Sequence, residues 1–164
     1  MRGTVLQVSI SQGGVPKLAV PEAAVTLRGL EGDRCAHPQF HGGPSQALLL
    51  IASEAVDDLA ARGWPVFYGA LGENITTAGL DRRSVRPGQR YRVGTAIVEI
   101  TRLRVPCAAL DAYGKGIQGE LYDSACKAGD VRSPRWGLGG FYAAVVQPGW
   151  VRAGDPIELM ESAV

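Results

Sequence analysis

What most restricts this chain is its punctuation: 22 glycines and 10 prolines are spread through 164 residues and cut the apolar sequence into short runs. Between them stand the β-rich stretches "TVLQVSI", "AVTLRG", "ALLLIA", "TAIVEITRL", "GFYAAVV" and "PIELM". Many short strands bounded by turn residues predict a mainly β barrel or sandwich. "RYRVGTAIVEI" predicts a hairpin in which Gly94 supplies the turn and Ala96, Val98 and Ile100 share one face. "VRPGQRYRVG" and "VRAGDPIELM" both place Val-Arg-x-Gly before a strand, which predicts two similar strand starts with Gly88 and Gly154 left-handed. Helices are few. The best candidate is "SEAVDDLAARG", with Ser53 as N-cap, acids at Glu54, Asp57 and Asp58, an apolar face of Val56, Leu59 and Ala60, and Gly63 as the stop. "GELYDSACKAG" predicts a second helix carrying Cys126.

A hydrophobic content of 46% with 20% charged residues fits one globular domain over residues 1–164. The formal net charge is +1, so nothing global points to nucleic acid or a membrane surface, and any anion binding must be local. Of the 17 basic residues 14 are arginine, which favours planar recognition of phosphate or carboxylate, although GC-rich coding gives the same bias. "MRGTVLQVSISQGG" lacks the apolar core of a signal peptide, and no run approaches the roughly 20 residues a membrane helix needs, so a cytoplasmic protein is expected. Cys35, Cys107 and Cys126 are too scattered for a paired-cysteine zinc or iron-sulfur framework, which leaves each as a free thiol, nucleophile or metal ligand.

Two segments carry candidate chemistry. In "GLEGDRCAHPQFHGGPSQA", Pro38 after His37 and the Gly42-Gly43 pair after His41 predict a loop, so the two histidines do not share a helical face as in HExxH zinc sites. The amides around Gly42 and Gly43, together with Arg34, Arg102 and Arg104, form either an anion cradle or a turn flanked by solvated arginines. His41 is either a donor beside such an anion or a hydrogen-bonded structural residue. In "TRLRVPCAALD", Thr101 ends the "TAIVEI" strand, Pro106 stops the strand and Cys107 sits just past its end. Arg102 and Arg104 favour its thiolate; a small buried hydrophobe is the other reading. Cys35 reads as an incidental loop thiol. In "GALGENITTAGL", Glu73 and Asn74 open a β-like run after a glycine, as site residues or as turn chemistry.

Taken in order, "GLEGDR", "HGGPSQAL", "YGALGENITTAGL", "VRPGQRYRVGTAIVEITRLRVPC" and "YAAVVQPGWVRAGDPIEL" resemble the MOSC family, named for the C-terminal domain of molybdenum cofactor sulfurases, and its stand-alone bacterial members in particular. The resemblance runs from about Gly29 to Leu159. It implies a MOSC-type β-barrel with a few peripheral helices and a site for the molybdenum cofactor, a molybdopterin. In relatives such as the mitochondrial amidoxime reducing component, the cysteine at this motif position ligates molybdenum, which carries that role to Cys107. The resemblance also makes "HGGPSQ" a wall of the site, with Arg34, His41, Gly42, Gly43, Glu73, Asn74, Arg102 and Arg104 as cofactor-binding residues. Gly140 and Ala144 stand where family members often carry basic residues, and no cysteine desulfurase domain is expected. The function this implies is reduction of a small N-hydroxylated compound at a Cys107-ligated molybdenum, with electrons from a separate redox protein. Two alternatives stand beside it: a sulfur or cofactor carrier serving sulfur-donor or cofactor-biosynthesis proteins, and a non-catalytic anion-binding module.

Overall fold

The structure, a computed structural model, describes residues 1–35 and 43–161. Eleven strands follow in order: β1 (Arg2–Ile10), β2 (Leu18–Val20), β3 (Glu22–Thr26), β4 (Gly29–Leu30), β5 (Leu48–Ala52), β6 (Ile75–Ala78), β7 (Arg90–Val93), β8 (Ala96–Leu103), β9 (Phe141–Gln147), β10 (Gly149–Arg152) and β11 (Pro156–Leu159). Seven of them close a barrel in the order β11-β7-β8-β9-β5-β6-β1, because β1 also pairs with β11. β2 hangs on β1, and β10, β3 and β4 form a separate small sheet. The expected mainly β barrel is thus the fold.

Within the ring only β5 and β6 run parallel, and a parallel pair needs a crossover. Helix α1 (Ser53–Ala61) is that crossover, packed outside the barrel. β5 is buried on both faces, which explains the continuous apolar run "ALLLIA". Leu48 and Leu50 join the barrel core with Val5, Tyr91, Val98 and Phe141. Leu49 and Ile51 point the other way, into a second cluster with Val56 and Leu59 of α1 and with Leu71, Leu110, Ile117 and Leu121. A barrel core and an outer core therefore share one strand.

The Gly94 hairpin forms as expected: Val93 pairs with Ala96, Gly94 has φ 58°, and Ala96, Val98 and Ile100 are buried. Gly88 and Gly154 are left-handed at φ 90° and 95°, and the strands that follow them, β7 and β11, pair side by side.

Both helix expectations need correction in detail. Ala52, still extended, occupies the N-cap of α1, and Ser53 is already helical, because β5 passes into the helix without a loop. The covered face is Ala55, Val56 and Leu59, whereas Ala60 is exposed. The "GELYDSACKAG" segment forms two short helices, α2 (Ile117–Leu121) and α3 (Ser124–Lys127). Tyr122 breaks the run in an extended conformation, and the Asp123 carboxylate caps α3 by accepting from the Cys126 N–H at 2.7 Å. Cys126 is buried on α3. No helix among the described residues is long and apolar enough to cross a membrane.

Where β9 leaves the outer core, Gly140 has φ 92° and passes so close to β5 that a Cβ would lie 2.6 Å from the Leu50 carbonyl oxygen and 2.5 Å from Ile51 Cγ1. Gly140→Ala is expected to lose more than about 2 kcal/mol in urea unfolding, since it combines a left-handed backbone with a clash against β5. An unchanged midpoint would contradict the tight β5–β9 approach.

Candidate functional site

The site begins with a break in strand parity. In the β8–β9 ladder Ile100 pairs with Ala143 and Arg102 with Tyr142, which leaves Thr101 as an extra, bulged residue. A strictly alternating strand would aim Arg102 the same way as Ala96, Val98 and Ile100, into the barrel core. The bulge reverses this. Leu103 now packs on the barrel core, while Arg102 is exposed with its guanidinium carbon 5.3 Å from the centre of the Tyr142 ring. The strand also runs two residues past Thr101, where the sequence had it end. The Thr101 hydroxyl lies 2.6 Å from the Ser45 carbonyl oxygen and 3.2 Å from that of Tyr142, which ties the turn at Pro44–Gln46 to the barrel wall.

Arg104 shares the outward face but is covered, at 5% exposure. Its guanidinium donates to the carbonyls of Leu71 at 2.8 Å and Gly139 at 3.2 Å, and its backbone N–H donates to Gly140. Three residues on, Cys107 is partly exposed and occupies the N-cap position of the short 3-10 helix Ala108–Tyr113, without a side-chain capping bond. Tyr142 lies in the middle of this group. Burial raises the pKa of its hydroxyl, the charges of Arg104 and Arg102 lower it, and Cys107 and Cys35 raise it, so all four side chains act on one hydroxyl. The structure thereby brings Cys35, Cys107, Arg102 and Arg104 to one side of the barrel.

The loop bearing Arg34 and Cys35, both exposed, is held by a residue that sequence reasoning missed. Asp33 accepts hydrogen bonds from the Ser11 N–H at 2.9 Å, from Lys17 Nζ at 2.6 Å and from Asn74 Nδ2 at 2.9 Å. Asn74 is buried, and its Oδ1 accepts from the Leu49 N–H at 3.1 Å, so the chain Asp33–Asn74–Leu49 fastens the loop to β5. The clue in the sequence was the acid in "EGDR", but its partners lie far along the chain and no spacing rule connects them. Gly43 is exposed with φ 85° ahead of Pro44. His37, His41 and Gly42 lie outside the described residues.

Glu73 is fully buried, at 0% exposure, and neither carboxylate oxygen has a hydrogen-bond partner. Burial pushes its pKa up to about 7; backbone N–H groups of Glu73, Gly69 and Leu71, none in hydrogen-bonding geometry, and the Arg104 charge offset this in part. The Tyr113 hydroxyl is likewise buried without a partner, and its pKa is raised by burial and then by the Glu73 charge. Among the described residues no three His, Cys, Asp or Glu side chains converge. Cys126 is different: its pKa is raised by burial, and its Sγ sits 3.4 Å from Ser133 Oγ.

A closed barrel with an outer core on one flank sets the fold class. Residues 37–158 match the MOSC domain family, and the chain belongs to it. Among similar proteins are YflK of Bacillus subtilis (strain 168), an uncharacterized protein, at 30% identity over 151 residues, and YiiM of Escherichia coli (strain K12), at 33% over 144 residues. These matches take in 90% and 85% of this chain but only 63% and 59% of those proteins, so the chain spans about three-fifths of the length of the curated relatives it matches. The crystal structure of Escherichia coli YiiM superposes with a TM-score of 0.71 at 28% identity, over 99% of this chain and 71% of that one. A crystal structure of a hypothetical protein does so with 0.74 at 30%, over 99% and 70%.

The raised acid has a consequence for stability. The folded pKa of Glu73, about 7, lies above its ordinary value of 4.5, so the folded state binds the proton more tightly. Stability from this group is full below the ordinary value, falls as pH rises toward 7 and is level above it, a loss of roughly 3 kcal/mol for the 2.5-unit gap. Urea unfolding of wild type and Glu73→Gln across that window is expected to show this slope in wild type alone. Parallel curves would mean that Glu73 is not a buried, raised acid.

Proposed function

We propose that this chain binds the molybdenum cofactor through Cys107 and reduces N-hydroxylated compounds with electrons from a separate redox protein. One observation carries the reading: a partly exposed thiol just past a bulged strand, beside an exposed arginine, in a chain of the MOSC family. The donor chemistry fits. A thiolate is a soft ligand suited to that metal. Arg102 offers a planar set of donors to the cofactor's phosphate, with the Tyr142 ring behind it. Arg34 and Gly43 flank the segment that contains His41 and Gly42, which the MOSC resemblance assigns to the cofactor. Arg104 and Asn74 support the site from behind, through the Leu71, Gly139 and Leu49 backbone, and Glu73 lies buried there without a hydrogen-bond partner.

When bound, the cofactor supplies the redox and oxygen-transfer chemistry that no side chain provides. The protein's own part is to present the thiolate, neutralise the phosphate and hold the substrate beside Tyr142. In this reading the electrons come from a separate redox protein.

The test is metal analysis of protein made in a molybdate-fed, cofactor-competent host. Cys107→Ser is expected to lose molybdenum and N-reduction while keeping its melting temperature. Cys126→Ser is expected to keep the metal but lose about 1–2 kcal/mol of stability, since it buries a hydroxyl in place of a thiol. Full molybdenum in Cys107→Ser would end the reading. A persulfide mass shift on Cys107 without bound metal would replace it with the carrier function.

A further inference from the structure

The segment that carries Cys107 is bounded by Arg104 and Tyr113, two side chains coupled by charge to one buried acid. Arg104 opens it, with its guanidinium on the Leu71 and Gly139 carbonyls and its charge acting on Glu73. Tyr113 closes it, with a buried hydroxyl that has no partner and feels the Glu73 charge. Midway, Leu110 is fully buried in the outer core with Leu71, two residues before Glu73. Cys107 lies between these two residues. The charged and titratable groups bearing on Glu73 are thus Arg104, from the stretch after β8, and Tyr113, from the short 3-10 helix. From its own loop the backbone amides of Gly69, Leu71 and Glu73 lower its pKa without making a hydrogen bond to it.

Neither state of this carboxyl suits the arrangement as it stands. Ionised, it is a buried charge with two unpartnered oxygens, attracted by the Arg104 charge and making ionisation of Tyr113 harder. Neutral, it asks less of both, and Arg104 is left with carbonyls alone. The two states therefore pull differently on the two ends of one short segment. We propose that Glu73 is a positioning residue for the site: acting through Arg104 and Tyr113, it sets the placement of the Cys107 turn, and gain or loss of its proton moves that turn between two settings. This rests on the reading of Cys107 as the site thiol, but it concerns the protein alone and is tested without cofactor.

The experiment is iodoacetamide labelling of cofactor-free protein across pH, with the rate at Cys107 divided by that at the exposed Cys35 by mass spectrometry. In wild type this ratio is expected to change several-fold through a step near pH 7, on top of the thiols' own ionisation. Glu73→Gln, which mimics the neutral acid, is expected to show no step. The infrared C=O band of a protonated carboxylic acid is expected in wild type on the acid side of the step and absent from the variant. The same step in both proteins, or no such band in wild type, overturns the proposal. If Glu73→Gln does not fold, Tyr113→Phe carries the test: loss of the facing hydroxyl moves the step along the pH axis, and an unmoved step overturns the coupling. Because no molybdenum is present, failure of metal binding by Cys107 is a separate result.

Discussion

The rest of the structure depends on the double burial of β5. Leu48 and Leu50 fill the barrel, while Leu49 and Ile51 face the outer core, so this strand is at once a stave of the barrel and the floor of everything stacked on it. The other members of the outer core come from α1, from residues around Leu71 and from the stretch Leu110 to Leu121, and they pack together with Leu49 and Ile51 of this strand. The Asn74 side chain reaches the same strand through the Leu49 N–H and passes the constraint on to Asp33 and the Arg34 loop. Both halves of the candidate site are therefore referred to one piece of backbone.

Polar groups in this outer layer are unevenly treated. Asp33, Asn74 and Arg104 are fully engaged with backbone and with one another's neighbours, as buried polar groups normally are. Glu73 and Tyr113 are not. Satisfied groups give rigidity, and unsatisfied ones store a preference that another proton or hydrogen bond can tip. The layer thus combines a fixed frame under the Arg34 loop with a poised acid under the Cys107 turn.

Much of the barrel could be read from the sequence because its signals are local. Alternation placed Ala96, Val98 and Ile100 inward, and Gly88, Gly94 and Gly154 marked turns that only a left-handed residue closes easily. The helices read less well for equally physical reasons. Ser53 is a favourable cap, but a strand that runs straight into a helix leaves the cap position to Ala52, and one residue in Tyr122 divides a segment of good helical pattern. In the site, Cys107 and Arg102 were legible as neighbours in one motif. The Asp33–Lys17 pair, the burial of Glu73 and the covering of Arg104 were not, since each depends on segments brought together only by the closed barrel.

The bulge at Thr101 behaves like a frameshift in the alternation of the strand. Upstream of it, even positions face the barrel core and odd ones face outward; downstream the facing is exchanged, and the register of Arg102, Leu103 and Arg104 is correct only because one residue does not count. A comparison of MOSC sequences by residue spacing from the Gly94 turn would thus misassign inside and outside in any relative that lacks the extra residue. Such a relative could keep every motif letter and still turn its arginine into the barrel.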